Sequence, residues 1–140
     1  MREMFLTVVC VIGSSLSYFV GGADMMFIVL CVFLAVDYIS GLIVAGVFKN
    51  SAKTENGKLN SHVGYKGIIK KLYTLCMVGV ANMLDNVLGT DFIRGGVIAV
   101  FISNETISII ENAGLMGVPI PSVLYKAIEI LNKKDGTDDG

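Results

Sequence analysis

Long stretches of this chain carry almost no charge, and they are spaced so that the folded polypeptide must cross an apolar medium several times. A bilayer core about 30 Å thick is crossed by roughly 20 apolar residues in a helix. The segments Met4–Val20, Met25–Phe48, Ile68–Leu88 and Phe92–Leu115 reach or approach that length. In lipid each backbone N–H and C=O must be bonded within its own segment, so helix is the expected form. The turns Gly21-Gly22-Ala23-Asp24 and Gly89-Thr90-Asp91 are built from breaker residues, and Lys49–Lys66 reads as a polar loop. Charged residues make up 16% of the chain, against about 25% in soluble domains. The expected fold class is therefore all-α: a polytopic membrane protein with four transmembrane helices in one domain, residues 1–134.

Beyond the fourth span, Pro119 and Pro121 break the helix. In the stretch that follows, 121–134, Leu124, Ala127, Ile128 and Leu131 share a face while Lys126, Glu129 and Lys133 lie elsewhere. This is the pattern of a short amphipathic helix lying along the membrane surface. Asp135–Gly140 reads as a disordered acidic tail. At the other end, Met1–Glu3 and the apolar run after it lack a strongly basic start and a small-x-small cleavage site. That run reads as a retained first span and not as a cleaved signal.

Cations set the orientation. Lys49, Lys53, Lys58, Lys66, Lys70 and Lys71 fall in the polar loop or at the start of span three, Lys126, Lys133 and Lys134 follow span four, and Arg2 precedes span one. All lie on one side if four segments cross, and Arg94 is the exception. Both termini are therefore expected in the cytoplasm. A net charge of -1 gives no field to recruit nucleic acid. Cys10, Cys31 and Cys76 have no metal-site spacing, and His62 is the lone histidine. With no zinc signature, nucleophile elbow or phosphate loop, neither enzyme chemistry nor a cofactor or metal is expected.

The informative residues are the polar ones inside the spans. Span two holds Asp37, span three holds Asn82, Asp85 and Asn86, and span four holds Arg94, Asn104, Glu105, Ser108, Glu111 and Asn112. Each ionised group at mid-bilayer costs on the order of 3 kcal/mol, so these groups are expected to avoid lipid. At about 100° per residue those of span four share an arc of roughly 120°. The two short-turn helices also register: folding at Gly89-Thr90 brings Asp85 to Arg94, Thr74 to Glu105, and Lys70 or Lys71 near Glu111. An Asp85–Arg94 ion pair is expected from that register. Asp37 and Glu105 lie mid-span with no cation expected at their level. The polar residues serve as helix-packing glue, as the lining of an aqueous path, or as a proton-coupled carrier site. Gly41 and Ala45 share a face with Asp37 and are suited to close helix contact.

Several blocks then resemble a known family. Val36-Asp37-Tyr38-Ile39-Ser40-Gly41-Leu42 is similar to an Asp-Tyr-x-(Thr/Ser)-Gly signature. Gly57-Lys58-Leu59-Asn60-Ser61, Gly64–Lys71, Ala81–Asp85, Asn104–Asn112 and Gly117-Val118-Pro119-Ile120-Pro121 follow in order. Together they resemble the toxin-secretion and phage-lysis holins, over roughly Leu34 to Leu131. The loop Lys49–Asn56 is longer than that pattern, and span one carries no signature. The resemblance implies a homo-oligomer in membrane lipid that forms lesions. A cell-wall hydrolase or a large toxin would pass through as cargo without specific binding. Other classes remain: a small ion channel or proton-coupled transporter using Asp37 and Glu105, or an antiholin-like structural subunit.

Overall fold

The computed structural model describes residues 1–134, and the tail expected to be disordered lies outside them. Five helices follow in order: α1 (Arg2–Val20), α2 (Met25–Gly46), α3 (Ser61–Leu88), α4 (Ile93–Leu115) and α5 (Ser122–Lys134). No strand occurs among the described residues. The first four are long and apolar enough to cross a membrane, so the all-α, four-span reading with a short C-terminal helix holds.

Each boundary has a local cause. Gly21 ends α1 with φ 86°, and Gly89 ends α3 with φ 67°; both adopt the left-handed conformation that only glycine takes at little cost. Asp24 caps α2 by accepting from Phe27 N at 3.0 Å. Asn60 caps α3 by accepting from His62 N at 2.9 Å and Val63 N at 3.4 Å.

The Asn60 cap corrects the expected loop. The helix starts at Ser61, seven residues before the apolar run, so the loop is residues 47–60 and not Lys49–Lys66. Hydropathy marks where a helix enters lipid, whereas the cap marks where it starts. At about 1.5 Å per residue the 28 residues of α3 extend some 12 Å beyond a core of about 30 Å.

Helix α4 is the hub. It packs most extensively on α2, then on α3, and carries α5 at its end. The backbone of helix α1 comes close to that of α3 alone, and its last residue, Val20, reaches the core shared with α2 and α4. Its only residues not fully exposed, Ser17, Phe19 and Val20, sit in its last turn. There the Phe19 ring lies so close on Gly79 that a β-carbon at that position would overlap it. The apolar core of Leu30, Leu34, Val78, Ile98 and Ile102, closed by Val20, fills the half of the bundle nearest the short turns. The half nearest the 47–60 loop is mixed inside, with Val44 and Ile110 buried beside Asp37 and Asn112. Large apolar side chains cover the exterior, as a lipid-facing surface requires.

In α5, Ile128 is buried while Leu124 and Ala127 are exposed. The side chain of Leu131 lies outside the described residues.

Candidate functional site

Two polar clusters sit at different levels of the bundle, with the apolar core between them. The one nearer the loop is centred on Lys71. Its ammonium donates to Asp37 Oδ2 and to Glu105 Oε2, both at 2.7 Å. The three side chains are 19%, 6% and 16% exposed. Two carboxylates thus share one cation between α2, α3 and α4. Asp37 and Glu105 each lie twelve residues past the start of their helices, Met25 and Ile93. Because α2 and α4 run in the same direction, that equal count puts both carboxylates at one depth.

Hydrogen bonds satisfy the rest of Asp37. Its Oδ1 accepts from Ser108 Oγ at 2.5 Å and from Asn112 Nδ2 at 3.1 Å. The same amide reaches Ser40 Oγ at 2.8 Å and the Asp37 carbonyl at 3.3 Å. Gly41 and Ala45 lie along this contact: Ala45 is buried, and a β-carbon on Gly41 would stand 3.8 Å from the Asn112 amide. Close approach of α2 and α4 brings these short polar side chains within bonding reach.

Lys71 is the main correction to the sequence reading. The hairpin register placed Lys70 or Lys71 near Glu111 and left Asp37 and Glu105 without a cation. Lys71 lies one turn from Thr74, the residue level with Glu105, and its four-carbon stem spans that offset. Register alone compares backbone depth and omits the reach of a long side chain.

The second cluster closes the end of the bundle at the short turns. Here Asp85 and Arg94 meet, but not as the expected side-chain ion pair. Asp85 Oδ1 accepts from Ile93 N at 3.0 Å and Thr90 Oγ1 at 2.6 Å, and Oδ2 accepts from Arg94 N at 2.9 Å. Asp85 therefore caps α4 from the preceding helix, and the residue at the usual cap position, Phe92, supplies no side-chain bond. A negative charge there also meets the positive end of the helix dipole.

The Arg94 guanidinium turns instead to α1 and the turn after it. It donates to Val20 O at 2.5 Å, Gly22 O at 2.9 Å, and Asp24 Oδ2 at 2.7 Å. Asn82 adds a bond to Phe19 O at 3.1 Å. The last carbonyls of a helix have no partner within it, and Arg94 and Asn82 supply them. The hydrogen bond from Arg94, with its positive charge close by, holds the Asp24 carboxyl below the usual carboxylate range.

Three of the expected residues join neither cluster. Asn86, Asn104 and Glu111 are exposed. Relative to Asn104, the residues facing α2 and α3 lie at about 40° to 100° around α4, while Asn104 and Glu111 lie at about 0° and −20°. The expected arc is real but wider than the contact, and its far edge opens outward. The sequence reading missed Asp24 as a partner of Arg94 and Ser40 as a partner of Asn112. Signals existed in both cases: Asp24 is the acid in the turn on the Arg94 side, and Ser40 lies one turn from Asp37. Among the described residues no group of His, Cys, Asp or Glu is placed to hold a metal ion.

The model of the bacteriophage holin family matches residues 14–133. An uncharacterised protein of Listeria monocytogenes is 39% identical over 128 residues, which cover 91% of this chain and 86% of the relative. One of Halalkalibacterium halodurans is 37% identical over 127 residues, covering 86% and 88%. One of Clostridium perfringens is 37% identical over 125 residues, covering 88% and 89%. No solved structure matches the chain.

Proposed function

Since this chain belongs to the bacteriophage holin family, we propose that it oligomerises in the bacterial inner membrane and opens lesions through which a cell-wall hydrolase or a large toxin passes. In this reading both termini and the loop 47–60 face the cytoplasm, where most lysines then lie.

The observation that carries the proposal is the charge held between the helices. Asp37, Lys71 and Glu105 sit inside the bundle, two carboxylates held by one ammonium. The protomer itself offers no passage: the cavity that reaches Lys71 and Glu105 is ≈ 230 Å³, far below the volume of any folded protein. A protein-sized hole needs many copies. Charges bonded to one another inside one protomer become the wall of a water-filled lesion when α2, α3 and α4 part and neighbouring copies close the ring. The transition is a change between two packings of the same helices. Charges within the field feel about 2.3 kcal/mol per 100 mV, so loss of membrane potential shifts the balance between packings.

One observation favours a second reading. Each inward-facing polar side chain of the two clusters already has a partner, which is what a purely structural or antiholin-like subunit needs. Co-expression in bacteria with a cytoplasmic cell-wall hydrolase separates the readings. Abrupt, timed lysis is the expected outcome. Slow ion leak without hydrolase release would indicate a channel, and unchanged permeability a structural subunit.

A further inference from the structure

Helices α2 and α3 are splayed, making the least contact of the packed pairs, and two cavities lie edge to edge between them. The first, ≈ 230 Å³, opens beneath the loop and is lined by Lys53, Thr54, Lys70 and Lys71 among others. The second, ≈ 240 Å³, is an apolar groove lined by Leu34, Ile68, Leu72 and Leu75. Tyr38 and Lys71 belong to both.

The charge of the polar cavity is unbalanced. Its lining has three lysines and two acids, Asp37 and Glu105, and Lys71 is bonded to both acids. Lys53 and Lys70 are left without a carboxylate partner among the described residues. The Thr54 hydroxyl is buried there with no hydrogen-bond partner. Two cations outside the bridge, one of them in excess over the acids of the lining, and a free hydroxyl around one cavity match a singly charged anionic oxygen group. The adjoining groove adds what a small anion would not need: an apolar wall running from Ile68 towards Leu75, away from the loop. Charge lies at the loop end and the apolar wall towards mid-span, which is the order of head and chain in a lipid leaflet.

We propose that this double cavity binds an anionic phospholipid, with its phosphate between Lys53 and Lys70 and one acyl chain along the groove between α2 and α3. The proposal is independent of lesion formation and holds equally for a structural subunit.

The test uses the full chain purified in a mild detergent and titrated with phosphatidylglycerol, with thermal unfolding and native mass spectrometry as readouts. Saturable binding and a raised unfolding temperature are expected. Phosphatidylcholine with the same acyl chains, whose choline cation offsets the phosphate charge, should bind more weakly by about tenfold, since each lysine near a net-anionic headgroup contributes about as much as a several-fold change in affinity. Lys53→Gln with Lys70→Gln should remove that preference. If the double variant fails to fold, Lys53→Gln alone carries the test, because it lies in the loop outside every helix. Leu75→Trp, which fills the groove, should weaken phosphatidylglycerol binding. Equal binding of the two lipids overturns the proposal. So does an equal shift from soluble glycerol phosphate, which would mark a simple anion site, or unchanged binding in the lysine variants.

Discussion

Lys71 is the residue on which the interior charge depends. Removing one member of a buried ion pair leaves an uncompensated charge and costs about 3–5 kcal/mol. Here two carboxylates would lose their cation together. Lys71→Met is expected to destabilise the detergent-solubilised protein by at least that amount in chemical unfolding. Adding Asp37→Asn and Glu105→Gln should recover most of the loss. A Lys71→Met protein as stable as the parent would show that the bridge holds nothing. Arg94 gives a sharper comparison, because two acids lie near it and only one takes its guanidinium. Double-mutant cycles should couple Arg94→Gln to Asp24→Asn. Asp85→Ala should cost about 1 kcal/mol as a lost cap and should couple to Arg94→Gln less strongly than Asp24→Asn does. The pH dependence follows from Asp24. Its pKa is lowered in the folded protein, so its contribution is present above the ordinary carboxylate value and is lost as pH falls through the lowered one. Asp24→Asn should lower stability near neutral pH by a small amount, because Asp24 is half exposed and solvent screens the pair, and should flatten the acid limb by the same amount.

The helices differ in how they are held. Within lipid, apolar area gives no net drive for one helix to pack on another, so close contact and hydrogen bonds decide. Helix α4 has both along α2. Helix α1 has them only at its last turn, through Phe19 on Gly79 and the bonds from Arg94 and Asn82. Gly79→Val should therefore release α1 while α2, α3 and α4 stay packed. Proteolysis at the Gly21–Asp24 turn is the measurement; faster cleavage with an otherwise unchanged fragment pattern is expected. The elements themselves were legible, since length and hydropathy locate four helices and the prolines locate the fifth. The start of α3 was not, because Asn60 closes a polar first turn that hydropathy scores as loop. The hairpin register brought Asp85 to Arg94 correctly but could not show which atoms meet. That outcome depends on α1, whose unpaired carbonyls compete for the guanidinium, and nothing in the sequence of the hairpin reports them.

At the scale of the whole molecule, polar and apolar layers alternate along the membrane normal: the Arg94 clamp, the apolar core, the Lys71 bridge, then the cavity under the loop. The sequence gives each residue's depth by counting, so the layering was legible, and so was the family resemblance that rests on the same residues. Which polar residues turn inward was only half legible, because Asn104 and Glu111 lie a few tens of degrees from Ser108 and Asn112. For the proposed lesion, adding an uncoupler during expression should advance the onset of lysis, and an onset that does not move would argue against voltage control. Helix α1 adds a property that no other element has. It is held at its last turn and exposed along the rest of its length in the protomer, so the thickness of the surrounding bilayer is expected to set its slope more than that of the other helices. In short-chain lipids it is then expected to lean and in long-chain lipids to stand more upright, which tilt measurements on α1 in bilayers of the two thicknesses would check. The first helix is in that sense a gauge of membrane thickness, pivoting on an arginine.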